Sequence, residues 1–289
     1  MRFGGNLPGI GPATHYGFAD WFEGLDFQIE WAKRFGWRCL LPTEFRDWDL
    51  EQQKSAVARM AARDLVPPGL GAYKYNLIHP DPATRVEHVR GVCALVERAA
   101  AIGIPSVETV AGGRHPTVSY GAAPGNKAPE AWTDFVKSCR EVCAACRGTG
   151  VRFVLEPFIH SIIDSPSGLD RAFAEVDRPN ELGVNFDLVN FATPELAYDM
   201  RPIVDEIIAV AGPAIALLHV KDIRYDTKPL THMWEVPPGE GWIDFDYWFG
   251  RVAALGLDIP AFMEHLTDMT QVVTAWNTVR TAAERVGAL

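Results

Sequence analysis

VRFVLEPFIHSIIDSPSGLDRAFAEVDRPNELGVNFDLVN, residues 151–190, holds one complete strand–helix–strand unit. Residues 151–157 form an apolar run closing on Glu156 and Pro157, residues 167–176 carry apolar side chains at helical spacing, and residues 182–187 form a second run closing on Asp187. Two short strands joined by a helix read as parallel neighbours with a crossover connection. Each strand delivers a carboxylate at its C-terminal end, the end at which α/β proteins bind their ligands.

The same rhythm extends in both directions. Upstream, strands are expected over 2–7, 38–44, 66–73 and 104–110, helices over 25–35, 50–63 and 82–101, and a further helix around Cys139, Cys143 and Cys146. Downstream, strands are expected over 214–220 and 259–264 and helices over 194–210, 245–255 and 269–286. Pro67 and Pro68 cannot donate to a ladder, so they fit only the beginning of the third strand. Eight β/α units, with no linker or charge block and no Gly-rich phosphate loop after the first strand, predict an α/β protein. Its expected architecture is a single (β/α)8 TIM barrel over 1–289 rather than an open doubly wound sheet.

A chain of 289 residues, 48% hydrophobic with nine tryptophans, can fill such a core. Acidic residues number 37 against 27 basic ones, and the net charge of −10 opposes binding to a phosphate backbone. No apolar run is long enough to span a membrane, and residues 1–11 lack the pattern of a signal peptide, so a cytoplasmic protein with neither nucleic-acid nor membrane partners is expected. The spacing of Cys139, Cys143 and Cys146 puts them on one helical face. With no second ligand cluster nearby, reduced buried thiols are the simpler reading than a zinc site.

The chemistry lies at the strand ends. Glu156, Asp187, His219 in Leu-Leu-His-Val-Lys-Asp and Glu264 in Phe-Met-Glu-His-Leu close or nearly close four successive strands of the predicted barrel. Three carboxylates and one imidazole form a mostly hard ligand set for Mn²⁺, Mg²⁺ or Co²⁺, and the histidine also admits Zn²⁺. Without a cation the carboxylates would repel one another.

These stretches resemble the xylose-isomerase-like family of TIM-barrel sugar isomerases and epimerases, which includes tagatose 3-epimerase-like enzymes and inosose dehydratases. The likeness rests on Leu-Glu-Pro-Phe, Asn-Phe-Asp, His-Val-Lys-Asp, Met-Glu-His-Leu and the Pro-Gly-Glu-Gly-Trp-Ile-Asp-Phe run over 238–245. It implies that Glu156, Asp187, His219 and Glu264 hold a divalent metal, manganese first, and that Glu156 and Glu264 exchange protons with a sugar or polyol-like substrate. Two positions depart from the epimerase pattern: Asn190 stands where a histidine often follows the strand-six aspartate, and Ile162 replaces a glutamate, with His160 nearby. The more distant endonuclease IV pattern is not met either, because Tyr73 and Glu108 occupy strand ends where it needs histidines.

Around this group, Lys221, Asp222 and Arg224 are candidates to bind substrate oxygens or fix the ligands, and His232 and Glu235 lie in a long loop that would cover the site as a lid. Glu44 is a candidate for hydroxyl recognition and Trp21 for packing against a sugar face. The expected reaction is isomerisation or epimerisation of a free ketose through a metal-stabilised enediolate. A lyase, or a non-catalytic sugar-binding subunit, is the alternative. Either a homo-oligomer or a partner subunit remains compatible with the sequence.

Overall fold

Short polar caps mark where most helices begin. In the computed structural model, which describes residues 1–8, 20–42, 44–196, 198–226, 228–229 and 232–289 except the Trp21 side chain, the chain runs β1 (Arg2–Gly5), α1 (Trp21–Phe35), β2 (Cys39–Leu40), α2 (Leu50–Ala61), β3 (Leu70–Gly71), α3 (Pro82–Ile102), β4 (Ser106–Val110), α4 (Pro129–Cys146). It continues β5 (Arg152–Glu156), α5 (Pro166–Val176), β6 (Leu182–Asp187), α6 (Arg201–Ala211), β7 (Ile215–Val220), β8 (Asp222–Tyr225), β9 (Met233–Val236), α7 (Phe245–Ala253), β10 (Pro260–Met263), α8 (Met269–Arg285). Asp20, Asp81, Ser165, Asp244 and Asp268 accept the first amides of α1, α3, α5, α7 and α8, and Asp49 forms a reciprocal box with Gln52 on α2.

Eight strands form one sheet in the order β2-β1-β10-β7-β6-β5-β4-β3. With helices between them and parallel pairing, this is the strand succession of a (β/α)8 TIM barrel. Val66 forms a parallel bridge with Cys39 of β2, whereas Leu70–Gly71 pairs forward with β4. Pro67 and Pro68 separate the two contacts, so the strand expected over 66–73 is split where the chain lacks donors.

The described residues pack as two compact units. In Met1–Pro68, Ala192–Asp205 and Leu217–Leu289, Phe3 lies edge-on to Phe249 at 5.2 Å, and Trp276 lies edge-on to Trp37 at 6.2 Å. Cys39, Leu217 and Phe262 form a second buried cluster there. In Gly69–Phe191 and Glu206–Ala216, α4 buries Trp132, Phe135, Cys139, Val142, Cys143 and Cys146 while β5 buries Phe153, Val154 and Leu155. Among the described residues no helix is long and apolar enough to cross a membrane.

Two further expectations need correction. The helix expected over 194–210 is a short 3-10 turn at Pro194–Leu196 followed by α6 from Arg201. Pro202 explains the late start, since proline is tolerated in a first helical turn and not in an interior. The loop expected around His232 and Glu235 is the β8–β9 antiparallel hairpin, in which Ile223 faces Glu235 and Arg224 faces Trp234 in register.

At Gly4 a β-carbon would lie 1.7 Å from the carbonyl oxygen of Cys39, a backbone atom with no room to yield. Gly4→Ala is therefore expected to lower stability by about 3 kcal/mol, read from the urea midpoint. Burial pushes the thiols of Cys143 and Cys146 up to about 12, so both stay protonated at ordinary pH. Thiol reagents attack the thiolate, and neither cysteine should be modified between pH 7 and 9 until the protein is unfolded, as peptide mapping after iodoacetamide treatment would show.

Candidate metal centre

Glu156 and Asp187 are the last residues of β5 and β6, His219 is the penultimate residue of β7, and Glu264 directly follows β10. Side chains alternate along a strand, and the register pairs His219 with Phe262, which shares its face with Glu264 two residues on. One ligand atom from each of Glu156, Asp187, His219 and Glu264 lies within 4.8 Å of the others. Asp187 is fully buried, Glu156 and His219 nearly so, and Glu264 is half-buried. Three carboxylates gathered so closely out of water repel one another strongly, and a divalent cation is the natural neutraliser. The donor set of three oxygens and one imidazole nitrogen fits such an ion, so this group can hold a divalent metal.

The two glutamates have different surroundings. Glu156 accepts from Tyr73 Oη at 2.9 Å and Asn185 Nδ2 at 3.3 Å on Oε2, and from Asn190 Nδ2 at 2.7 Å on Oε1. The Asn190 backbone N–H also donates to Asp187 Oδ1 at 3.3 Å. Glu264 instead faces nitrogen groups, with Lys221 Nζ at 2.7 Å, His219 Nδ1 at 3.2 Å and His265 Nε2 at 3.8 Å from its Oε1. Burial acts to raise the Glu264 carboxyl, but His219, Lys221 and His265 together outweigh it and hold it well below the usual range.

Of the other residues singled out from sequence, some approach this group and others do not. Asn190 touches Glu156, and Lys221 lies between Glu264 and Glu235, whose Oε2 is 3.6 Å away. Glu235 Oε1 lies 2.5 Å from His265 Nδ1, a contact that holds its carboxyl down against burial. Asp222 does other work: its Oδ1 accepts the amides of Ile223 and Ile243, and its Oδ2 those of Gly239 and Gly241. Burial raises the Asp222 carboxyl while these four amides oppose the rise. Arg224 is exposed on β8, and His232 is exposed and stacked on Trp234 at 6.3 Å. His160 is exposed, its ring 5.8 Å from Phe158 and its carbonyl accepting Asn126 Nδ2. Glu44 opens a 3-10 turn after β2. Its carboxyl is raised by burial, and its buried Oε2 meets no donor among the described residues. Trp21 opens α1, and its side chain lies outside the described residues.

Sequence reading assigned no role to two groups that contact Glu156. Asn185 was accessible by alternation, since it precedes Asp187 by two and points to the same face. Tyr73 stood at the end of the expected third strand but was given no role; it lies beyond the two-residue β3 and reaches Glu156 across 83 positions of sequence. His265 has a left-handed backbone with φ of 59°, uncommon for a residue with a β-carbon, and this conformation immediately follows Glu264.

The model of the xylose isomerase-like TIM barrel family matches residues 29–284. The chain belongs to that family. Its fold is similar to that of a xylose isomerase-like TIM barrel protein from Mycobacterium smegmatis in complex with magnesium, at 16% identity and a TM-score of 0.70, covering 100% of this chain and 97% of the other. It is also similar to D-psicose 3-epimerase from Clostridium cellulolyticum H10 with D-tagatose, at 16% identity, TM-score 0.70, and 99% and 98% coverage. A third structure is 3-keto-D-glucoside 4-epimerase from E. coli, at 13% identity, TM-score 0.72, and 98% and 99% coverage. No curated protein matches the sequence. The family membership bears out the resemblance carried by the strand-end motifs, and the neighbours share the fold along nearly the whole chain.

Within this family member residues 238–244 form a loop built on Asp222. A β-carbon at Gly241 would lie 2.3 Å from Asp222 Oδ1, and Gly239 has φ of +97°. Asp222→Ala would leave four amides without their acceptor, and the expected loss is about 3 kcal/mol of stability by urea unfolding. Faster hydrogen exchange at Gly239, Gly241 and Ile243 should accompany it; unchanged exchange there would contradict the anchoring role.

Proposed function

We propose that the protein is a divalent-metal-dependent isomerase or epimerase of a free ketose or related polyol-derived sugar, acting by proton transfer at the carbon beside the carbonyl. The proposal takes residues 1–289 as one domain, with manganese as the first candidate metal. The observation that carries it is the convergence of Glu156, Asp187, His219 and Glu264 within 4.8 Å. A divalent cation bound there would polarise a substrate carbonyl and its neighbouring hydroxyl and so acidify the carbon-bound proton.

The chain's own residues supply the rest. Glu156 and Glu264 are the carboxylates that would take and return the proton, on the opposite face of one carbon for epimerisation or on the adjacent carbon for isomerisation. Asn190, Asn185 and Tyr73 fix the Glu156 carboxylate in one orientation, and Lys221 does the same for Glu264. Burial of Glu156, Asn185, Asn190 and Lys221 would keep water from competing for the proton.

A lyase is the second reading, and Asn190 favours it. Its amide cannot carry a proton at neutral pH, and it is committed to Glu156 at 2.7 Å, so the histidine that often serves epimerases at this position has no counterpart. Loss of water or an aglycone from a keto-sugar would then follow the same proton abstraction.

In D2O with Mn²⁺ present, an accepted ketose should gain solvent deuterium at the reacting carbon, and EDTA should abolish the exchange. Glu156→Gln and Glu264→Gln should each lower kcat by about 10²–10⁴-fold. Absence of exchange across the ketohexoses and ketopentoses in a Mn²⁺-replete sample would reject the isomerase reading, and stoichiometric release of water or aglycone would replace it with the lyase.

A further inference from the structure

The charge of the metal-ligating group leads to Lys221, by an inference that rests on the metal reading above. Glu156, Asp187 and Glu264 bring three negative charges and a divalent cation brings two positive ones, which leaves one negative charge uncompensated. The Lys221 side chain is 4% exposed, and its Nζ lies 2.7 Å from Glu264 Oε1. A further carboxylate, Glu235 at 3.6 Å, is itself in contact with His265 Nδ1 at 2.5 Å. A buried ammonium directly against one of the four ligands is placed to supply the missing positive charge.

We propose that Lys221 is a positioning residue that brings the metal centre to neutrality and makes the site bind a divalent cation more weakly than its carboxylates alone would. Two physical effects act in the same direction. The ammonium competes for Glu264 Oε1, and it repels a dication only a few ångströms away, in surroundings where salt screens poorly. Lys221 also keeps the ligands together before a cation arrives. Replacing it with an uncharged side chain would leave three carboxylates facing one another with no built-in counter-charge.

The test is Mn²⁺ binding by the full-length protein, followed by titration calorimetry and by the electron paramagnetic resonance signal of free Mn²⁺. Lys221→Met should bind Mn²⁺ at least about 10-fold more tightly than the wild type, the scale on which residues around a metal's ligands act. Lys221→Arg, which keeps the charge, should stay near the wild-type value. In EDTA the methionine variant should melt below the wild type, and added Mn²⁺ should raise its Tm by more, because tighter binding stabilises the folded state further. Lys221→Gln repeats the comparison if the methionine variant does not fold. Equal or weaker Mn²⁺ affinity in the folded, uncharged variants would overturn the role of Lys221 while leaving the metal centre intact. A wild-type protein that binds no Mn²⁺, Mg²⁺, Co²⁺ or Zn²⁺ would overturn the metal reading itself, and this proposal with it.

Discussion

Mutual repulsion among Glu156, Asp187 and Glu264 is the constraint around which the functional end of this protein is arranged. Like charges at such separations favour protonation, separation or a counter-charge. Glu156 is in register with Val110 of β4, and Glu264 follows Met263, which is in register with Val220 of β7, so the backbone limits how far each carboxylate can withdraw. What remains is a counter-charge, and the imidazole of His219 completes a donor set suited to a metal ion.

The two glutamates show how one residue type acquires two characters from its surroundings. Glu156 accepts from a phenol and two side-chain amides, which fix its direction. Glu264 is held by a lysine and flanked by two histidines, which fix its charge as well.

The remaining acidic residues near these strands serve the framework. Asp222 accepts four backbone amides and thereby fixes the loop over 238–244, whose glycines leave room for the carboxylate. Glu235 ties the β8–β9 hairpin to His265, next in sequence to Glu264. The exposed face of that hairpin carries Arg224, His232 and Trp234, apart from the contacts that Glu235 makes.

By itself the sequence determined the barrel succession and singled out Glu156, Asp187, His219 and Glu264 at or beside strand ends, because each is a local pattern. A short apolar run ending in a polar residue needs no knowledge of distant contacts, and helix caps such as Asp81 followed by Pro82 are read from neighbours alone. The likeness carried by the strand-end motifs agrees with the family to which the chain belongs. Tertiary structure alone decided which side chains surround the ligands: Tyr73 is 83 residues from Glu156, and Glu235 is 30 from His265. It also decided that Asp222, beside Lys221 in sequence, turns to a loop while Lys221 turns to Glu264. Adjacent residues on a strand point to opposite faces, and what each face meets is set by chain segments that no local pattern specifies.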